Sequence, residues 1–373
     1  MRYCTRCLEP DTRPDSIFDD EGICFPCRYA ERVDDIDWAA RRRELDEIVA
    51  WGQARNVSGY DCVIPVSGGK DSHRQALFAR DELGLNPLLV SCTYPPQQQT
   101  HRGAHNLANL ISLGFDCFSV SPAPETWKQL MKVGFVKFGN MFKSTELALY
   151  ASGPKVATLY HIPLVFYGEN PALSWGSAGG SLDGDATRMK YSNTLKGGDL
   201  TPYLEEGYRP EEMYWYRYPS DEDIDRAQLK IVYLGYYMSD FNDFDNARIA
   251  MENGLKCRTG EDAILEDIGQ LTTFDALDDD FVMVNQMLKY IKFGFGKASE
   301  QCSGAIRAGH MSREEAIDLA ERLDGRCANR YIRRFSDFIG VSEDEFWEVA
   351  ERYRGKDVWQ RDGNAWKLKV PLR

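Results

Sequence analysis

The residues whose types and spacing most directly suggest chemistry are the six from Ser67 to Ser72, which read SGGKDS. They follow an apolar run, residues 60–66, that predicts a strand leading into a tight turn and then a helix. Two adjacent glycines let the backbone pass close to a ligand. The free N–H groups and the positive dipole end of the following helix favour an anion. We therefore expect this segment to cradle a phosphate chain.

The hexad resembles the SGGxDS signature of the PP-loop ATP pyrophosphatases, and it is neither the P-loop nor the dinucleotide fingerprint. Enzymes of that family bind ATP in an α/β fold, transfer AMP to a carbonyl or carboxyl oxygen and release pyrophosphate. The resemblance therefore implies ATP binding at this turn. The alternative, an ordinary strand–helix connection, is disfavoured because the complete hexad directly follows a strand.

Two C-x-x-C pairs near the start of the chain form a second candidate site. Cys4 and Cys7 are separated by 16 residues from Cys24 and Cys27. Such turns place four thiolates where a tetrahedral Zn²⁺ can take them, with no open position for water. The segment between the pairs is polar and turn-rich, so the metal would supply most of its folding energy. We expect a structural zinc knuckle, with a redox role for one pair as the alternative.

The elements that must position the hexad alternate between strand and helix. Apolar runs that predict further strands are Pro87–Cys92, Phe115–Val120, Pro163–Tyr167 and Ile231–Met238, and helices are predicted at Gln75–Leu83, Asn106–Leu113 and Val156–Tyr160. This alternation is typical of a parallel sheet covered on both faces. Ligands of such sheets bind beyond the carboxyl ends of the strands. Ser67–Ser72, Ser91–Tyr94 and Gly168–Asn170 should therefore surround one crevice.

Glu169 and Asn170 follow directly on the fourth predicted strand. A carboxylate and a carboxamide at that edge could hold Mg²⁺ or orient an amide substrate, and a capped loop is the structural alternative. Residues 174–198, which follow, are rich in Gly, Ser and Asp and are expected to form a long loop that closes over the site.

The rest of the chain is mostly helical and acidic. Tyr290–Lys297 stands out because its two glycines and two lysines, Lys292 and Lys297, have no acid among them. This segment could cover phosphates from above, or it could simply end a helix. The aromatic patch Met213–Tyr218 either packs an interface or stacks on a sugar or base.

Length and composition describe an acidic globular protein of 373 residues with a net charge of −13. That balance argues against nucleic acid as a partner. The absence of an apolar leader or a membrane-length run leads us to expect a cytoplasmic protein, and ten cysteines there suggest metal ligation or packing. We divide the chain into a zinc knuckle (1–33), a linking helix (34–57), a PP-loop domain (58–245) and a helical C-terminal domain (246–373).

Taken together, these features resemble the N-acetyl sugar amidotransferases of surface-polysaccharide and nonulosonic-acid biosynthesis, the WbpG/PseA-like family. The resemblance is carried by the cysteine knuckles, the hexad with its strand, Tyr167–Asn170, Tyr290–Lys297 and Ile306–Gly309. It implies an α/β, parallel-sheet PP-loop domain of the adenine-nucleotide α-hydrolase-like (HUP) fold. The ATP-binding residues predicted from motif and placement are Pro65, Val66, Ser67, Gly68, Gly69, Lys70, Asp71, Ser72, Ser91, Gly168, Lys292 and Lys297.

Such enzymes are understood to turn the acetamido group of a sugar, here expected to be nucleotide-linked, into an acetamidino group with ATP and ammonia. Attack of the amide oxygen on the ATP α-phosphorus would give an O-adenylated imidate, from which ammonia expels AMP. The predicted catalytic residues are Lys70, Asp71, Glu169 and Asn170. Asp71 would hold Mg²⁺, directly or through water, while Lys70 and the loop N–H groups neutralise pyrophosphate.

A separate glutaminase subunit is implied as the ammonia source, because this chain shows no Cys–His pair suited to glutamine hydrolysis. The sequence leaves the oligomeric state open, a homo-oligomer included. The main alternative function is tRNA 2-thiolation, which also combines cysteine knuckles with SGGxDS and would use a cysteine such as Cys92. A non-catalytic ATP-sensing or zinc scaffold is the third class, and the complete hexad disfavours it.

Overall fold

The computed structural model describes residues 1–176, 181–191 and 195–372. Its helices are α1 Phe25–Ala30, α2 Trp38–Gln53, α3 Lys70–Leu77, α4 His101–Ser112, α5 Pro124–Phe138, α6 Lys143–Tyr160, α7 Pro171–Trp175, α8 Thr201–Leu204, α9 Asp221–Ala227, α10 Asp243–Glu252, α11 Leu265–Ile268, α12 Phe281–Phe293, α13 Lys297–Arg307, α14 Arg313–Leu323, α15 Asn329–Ile339 and α16 Glu343–Arg352. Its strands are β1 Cys62–Pro65, β2 Pro87–Cys92, β3 Cys117–Val120, β4 Leu164–Tyr167, β5 Lys230–Tyr233, β6 Trp359–Asp362 and β7 Ala365–Leu368.

Strands β1 to β5 form one parallel sheet in the order β3-β2-β1-β4-β5. The α/β class and the parallel sheet predicted from the sequence are confirmed. The last strand is shorter than predicted, because the chain turns into a 3₁₀ segment, Leu234–Tyr237, directly after Tyr233. The Gly235 N–H there donates to the carbonyl of Gly168 (2.9 Å), which ties the ends of β4 and β5 together.

Both faces of the sheet are buried, as its continuous apolar strands require. Consecutive residues of β1 point to opposite faces of the sheet, and Val63 and Ile64 therefore belong to separate cores. The first core lies under α5 and α6 and extends to α12, α15 and α16, where Phe135 stacks on Phe346 at 5.1 Å. The second core lies under α2, α3 and α4. Helices on both faces leave the carboxyl edge of the sheet as the open side for a ligand.

The order of the strands places a switch point between β1 and β4. From β1 the chain adds β2 and β3 on one side, and it returns to add β4 and β5 on the other. Loops at such a point diverge and leave a crevice. The loop after β1 is SGGKDS and the loop after β4 is Gly168–Asn170, so two predicted site segments meet there.

The C-terminal region is helical, as predicted, but it ends in an antiparallel hairpin, β6–β7, that the sequence pattern did not indicate. The expected domain boundary between residues 245 and 246 falls inside α10. The expected long loop, residues 174–198, contains a 3₁₀ segment, Thr187–Tyr191, and part of it lies outside the described residues. Across the described chain, no helix is both long and apolar enough to cross a membrane.

Candidate functional site

The SGGKDS loop turns sharply between β1 and α3, and only one of its glycines is required by the backbone. Gly68 has a φ of +87°, and a Cβ there would lie 2.8 Å from the backbone nitrogen of Leu107. Gly69 has an ordinary φ of −76° and serves as the N-cap of α3. The Ser67 N–H donates to the hydroxyl of Ser72 at 3.0 Å, which closes the turn. Of the two adjacent glycines, only Gly68 therefore has a backbone conformation that a side chain would disfavour.

The ammonium group of Lys70 forms ion pairs with three carboxylates. Its Nζ lies 2.8 Å from Asp71, 3.0 Å from Asp243 and 2.8 Å from Asp275, and the residue is only 5% exposed. Although burial alone would lower the pKa of Lys70, these carboxylates raise it well above its usual value. In this structure Lys70 therefore holds acidic residues together, and its predicted role towards pyrophosphate stays a prediction.

Three carboxylates next to that lysine form a candidate metal site. One oxygen each of Asp71, Glu169 and Asp243 lies within 4.8 Å of the others. The Asn246 side-chain amide donates to Oδ1 of Asp71 at 2.8 Å, and this hydrogen bond fixes the orientation of the Asp71 side chain. Oxygen ligands of this kind suit a hard divalent cation such as Mg²⁺. We refer to Asp71, Glu169 and Asp243 as the carboxylate trio.

Burial, followed by repulsion from Asp71, raises the pKa of Glu169 to about 8. A carboxyl group whose pKa is raised in the folded state stabilises the fold at low pH and loses that contribution as the pH rises through the raised value. A cation that needs the ionised carboxylate competes with its proton. Occupancy of the trio should therefore depend on pH.

We expect MgCl₂ to raise the melting temperature more above pH 8 than below it, because only the ionised Glu169 is a full ligand. Thermal denaturation with and without MgCl₂ on both sides of that pH measures the effect. Glu169→Gln should remove the pH dependence, whereas Glu125→Gln, on the exposed surface of α5, should keep it. Equal Mg²⁺ shifts at both pH values in the unmodified protein would contradict this assignment.

The side chain of Asn170 forms its hydrogen bonds with the loop that follows β4. It caps α7 by accepting from the Ala172 N–H (3.0 Å), and its amide donates to the carbonyls of Ser181 and Asp183 at 2.9 Å each. The capped-loop alternative therefore describes Asn170, while the neighbouring Glu169 faces the carboxylates. Both residues line the cavity that adjoins the trio, so their joint role at the site stays a prediction.

A cavity of about 310 Å³ adjoins the trio. Asp71, Glu169 and Asp243 line it together with Lys70, and so do Lys297 and Arg307 of α13. Lys297 also lies 3.7 Å from Asp275, whose pKa is held below its usual value by the two lysines despite its burial. One predicted phosphate-covering lysine, Lys297, is therefore at the site.

The other residues of the predicted ATP site have different positions. Lys292 donates to the carbonyl of Gly139 (3.0 Å) and is not among the cavity residues, because Gly294 ends α12 between the two lysines. The helix-end interpretation of Tyr290–Lys297 thus describes its backbone. Ser91 lies near the end of β2 and is 3% exposed. Pro65 ends β1 and Gly168 follows β4, so both lie at the carboxyl edge of the sheet.

The aromatic patch Met213–Tyr218 packs into the first core. Met213 and Tyr216 are buried there, and the exposed Tyr214 ring lies against Lys155 at 3.9 Å. None of these residues lines the cavity. Packing, the first of the two alternatives drawn from the sequence, therefore describes this patch.

The four cysteines of the N-terminal pairs converge as predicted. Their sulfur atoms lie within 4.8 Å of one another and all four residues are buried. The sulfur atoms of Cys7 and Cys24 are 3.7 Å apart, too far for a disulfide and close to the edge of a tetrahedron with Zn–S bonds of about 2.3 Å. Backbone N–H groups of Arg6 and Glu9 donate to Cys4 and Cys7 at 3.4 Å. The cluster could hold one metal ion, and its donor set fits zinc.

Several residues of the site were missed by sequence reasoning. Asp243 completes the trio, and its position ten residues after β5 in a parallel-sheet protein was an available signal. Asp275 belongs to the C-terminal region and carries no local motif, whereas Arg307 lies in Ile306–Gly309, a segment of the family resemblance that was not assigned to the site. They reach the site only because that region folds over the carboxyl edge of the sheet.

The fold and the site together define a class of protein, namely an α/β protein whose parallel sheet carries a carboxylate-lined ligand cavity at its switch point. Residues 268–373 match a family model described as "LPS biosynthesis protein WbpG-like, C-terminal domain". The match supports a WbpG-like LPS biosynthesis protein, and it covers less than a third of the chain. It includes Lys297 and Arg307 of the cavity. No curated protein matches the chain.

Proposed function

We propose that this protein is an ATP-dependent amidotransferase of LPS or related surface-polysaccharide biosynthesis. It converts the acetamido group of an N-acetyl sugar into an acetamidino group and releases AMP and pyrophosphate. The observation that carries the proposal is the carboxylate trio, which lies at the switch point within and beside SGGKDS and lines a cavity there. The WbpG-like C-terminal match supports the same pathway class.

In this proposal residues 58–245 are a PP-loop domain. The free N–H groups at the start of α3 bind phosphate oxygens, and Gly69 leaves the space above the loop open. Lys70 keeps the trio and Asp275 assembled, and Lys297 supplies positive charge at the cavity wall. The trio would hold Mg²⁺, which when bound neutralises charge on the departing pyrophosphate.

The reaction requires no nucleophile from the protein. The amide oxygen of the sugar bonds to the α-phosphorus of ATP, and the bond from that phosphorus to the pyrophosphate oxygen breaks. Ammonia then adds to the activated carbon, its carbon–oxygen bond to AMP breaks, and one proton is released. The site contributes by positioning the two substrates and by excluding water from the activated intermediate.

The proposal includes one structural Zn²⁺ at Cys4, Cys7, Cys24 and Cys27. Outside that cluster, burial disfavours the thiolate form of several described cysteines. Burial raises the pKa of Cys92 and of Cys302 to about 12, and it also raises the pKa of Cys257. A glutaminase or a thiolation enzyme needs a reactive thiolate. We therefore propose that a separate subunit supplies ammonia, and we disfavour tRNA thiolation.

The test is to incubate the protein with ATP, Mg²⁺, ammonium and a panel of UDP- and CMP-linked acetamido sugars. We expect AMP and pyrophosphate to form, and one sugar to lose the mass difference between O and NH in mass spectrometry. Ammonium at raised pH should serve as nitrogen donor because more of it is unprotonated, and glutamine should not. Glutamine turnover by the isolated chain, abolished by Cys92→Ala, would contradict the separate-subunit proposal.

A further inference from the structure

Among the aromatic residues that line the cavity, three come from three different elements and contact one common arginine. Tyr29 belongs to α1 of the cysteine knuckle, Trp38 opens α2, and Tyr236 lies in the 3₁₀ segment after β5. All three are partly exposed, and all three line the cavity. We refer to them as the aromatic wall.

A single guanidinium holds the aromatic wall in place. The central carbon of Arg41 lies 3.7 Å from the ring centroid of Tyr236, 4.9 Å from that of Trp38 and 5.9 Å from that of Tyr29. Arg41 also donates to the Tyr29 hydroxyl at 2.9 Å and to the Tyr236 carbonyl at 2.8 Å. These contacts fix the rings before any ligand arrives, which lowers the ordering cost of binding.

The cavity lining combines two chemistries. One group of lining residues is the carboxylate trio, and the other is the aromatic wall. A pyranose ring has an apolar C–H face that packs on an aromatic ring, and an acetamido group adds a methyl and a polar amide. A sugar held on the wall can direct its amide toward the trio, where the proposed reaction takes place.

We infer that Tyr29, Trp38 and Tyr236 bind the sugar ring of the acceptor. This inference rests on the proposed function, in which an acetamido sugar is the acceptor. The cavity volume of about 310 Å³ is at the lower limit of small-molecule pockets. A cavity of this volume can hold a sugar ring with its acetamido group.

The cysteine knuckle contributes directly to this sugar site. Helix α1 begins directly after Cys24 and contains both Cys27 and Tyr29. It packs on α7, where a Cβ added at Gly176 would lie 3.2 Å from Pro26. Arg307 connects α7 with the cysteine knuckle, since it donates to the Ser174 carbonyl (3.1 Å) and lies 4.0 Å from the Cys7 sulfur. The metal cluster therefore positions one ring of the sugar site.

The test is direct binding of the acetamido-sugar panel, free and nucleotide-linked, to full-length protein saturated with Mg²⁺ and a non-hydrolysable ATP analogue. Calorimetry gives the sugar and analogue affinities separately. We expect Tyr29→Ala and Tyr236→Ala each to weaken sugar binding at least about tenfold and to leave the affinity for the ATP analogue unchanged. Far-UV circular dichroism and melting temperature show whether each variant is folded.

Two matched controls separate ring stacking from general damage. Tyr29→Phe keeps the ring and removes only the hydroxyl, so it should retain sugar binding within about threefold. Tyr160→Ala removes an exposed tyrosine that contacts Phe118 far from the cavity lining, and it should bind like the unmodified protein. Cys24→Ser should weaken sugar binding and spare analogue binding.

Three results would overturn the inference: no sugar of the panel binds, the two alanine variants bind sugar normally, or Tyr160→Ala loses as much affinity as they do. Failure of the proposed function gives a different pattern. In that case a sugar binds through the aromatic wall, but no pyrophosphate is released and no amidine forms.

Discussion

Asp71→Asn is expected to reduce pyrophosphate release by about a hundredfold or more, equivalent to roughly 2.7 kcal/mol of transition-state stabilisation. The substitution removes one charge from the carboxylate trio without changing its shape. The fold should persist, because an asparagine oxygen can still accept from Asn246 and Lys70 keeps Asp243 and Asp275 as partners. A coupled pyrophosphate assay, with circular dichroism on the same sample, measures both quantities.

Asp46→Asn is the matched control, because Asp46 lies on the exposed surface of α2 and pairs only with Arg42 in the described structure. It should release pyrophosphate at the unmodified rate. If the Asp71→Asn rate stays within about threefold of the unmodified protein, less than 1 kcal/mol, the carboxylate trio is not the ATP site.

Gly69→Ala tests whether phosphate occupies the space next to the SGGKDS loop. Its φ of −76° suits alanine, and the nearest atom to the new methyl group is the Ser67 hydroxyl at 3.4 Å. The variant should therefore fold and lose ATP binding, because the methyl occupies the space proposed for phosphate. Gly68→Ala is instead expected to destabilise the protein itself, since its φ is positive and Leu107 leaves no room.

Cys24→Ser is expected to release the metal and unfold the N-terminal knuckle. Structural zinc contributes about 10–16 kcal/mol to small zinc domains, which is more than any single core side chain supplies. Elemental analysis should find one zinc per unmodified chain and none in the variant. Limited proteolysis should then cut within residues 1–33 first.

The loss of structure in Cys24→Ser should stay local, because residues 8–13 of the same chain have other contacts with α13. The Leu8 N–H donates to the Ser303 hydroxyl at 3.2 Å, and Arg13 forms ion pairs with the buried Glu9 and with Glu300. Cys257→Ser, at a half-buried cysteine outside the cluster, should keep its zinc. Iron–sulfur in place of zinc, or full metal content in Cys24→Ser, would refute the assignment.

The sequence by itself determined the features whose information is local. A C-x-x-C pair and the SGGKDS turn each lie within a few residues, so spacing alone predicts their geometry. The strand–helix alternation determined the parallel sheet, because continuous apolar strands must be covered on both faces. The carboxyl-edge rule then brought the loops after β1 and β4 together correctly.

Only the tertiary structure decided which side chains share the cavity. Asp71, Asp243 and Asp275 are far apart in the chain, and no periodicity relates them. Their convergence depends on α10 packing on α3 and on the C-terminal region folding over the sheet edge. The bonding of each side chain was also decided by the tertiary structure, since Glu169 belongs to the trio while Asn170, which lines the same cavity, caps α7.

The aromatic residues illustrate the same limit. The residues of the aromatic patch Met213–Tyr218 are adjacent in sequence, and stacking on a sugar or base was one interpretation of them. In the structure the patch packs into the first core. The rings of the aromatic wall are single residues, Tyr29, Trp38 and Tyr236, each on a different element, and Trp175, Phe241 and Phe244 also line the cavity. Local sequence density records composition, whereas a binding surface depends on long-range packing, and that is why the structure was needed to find it.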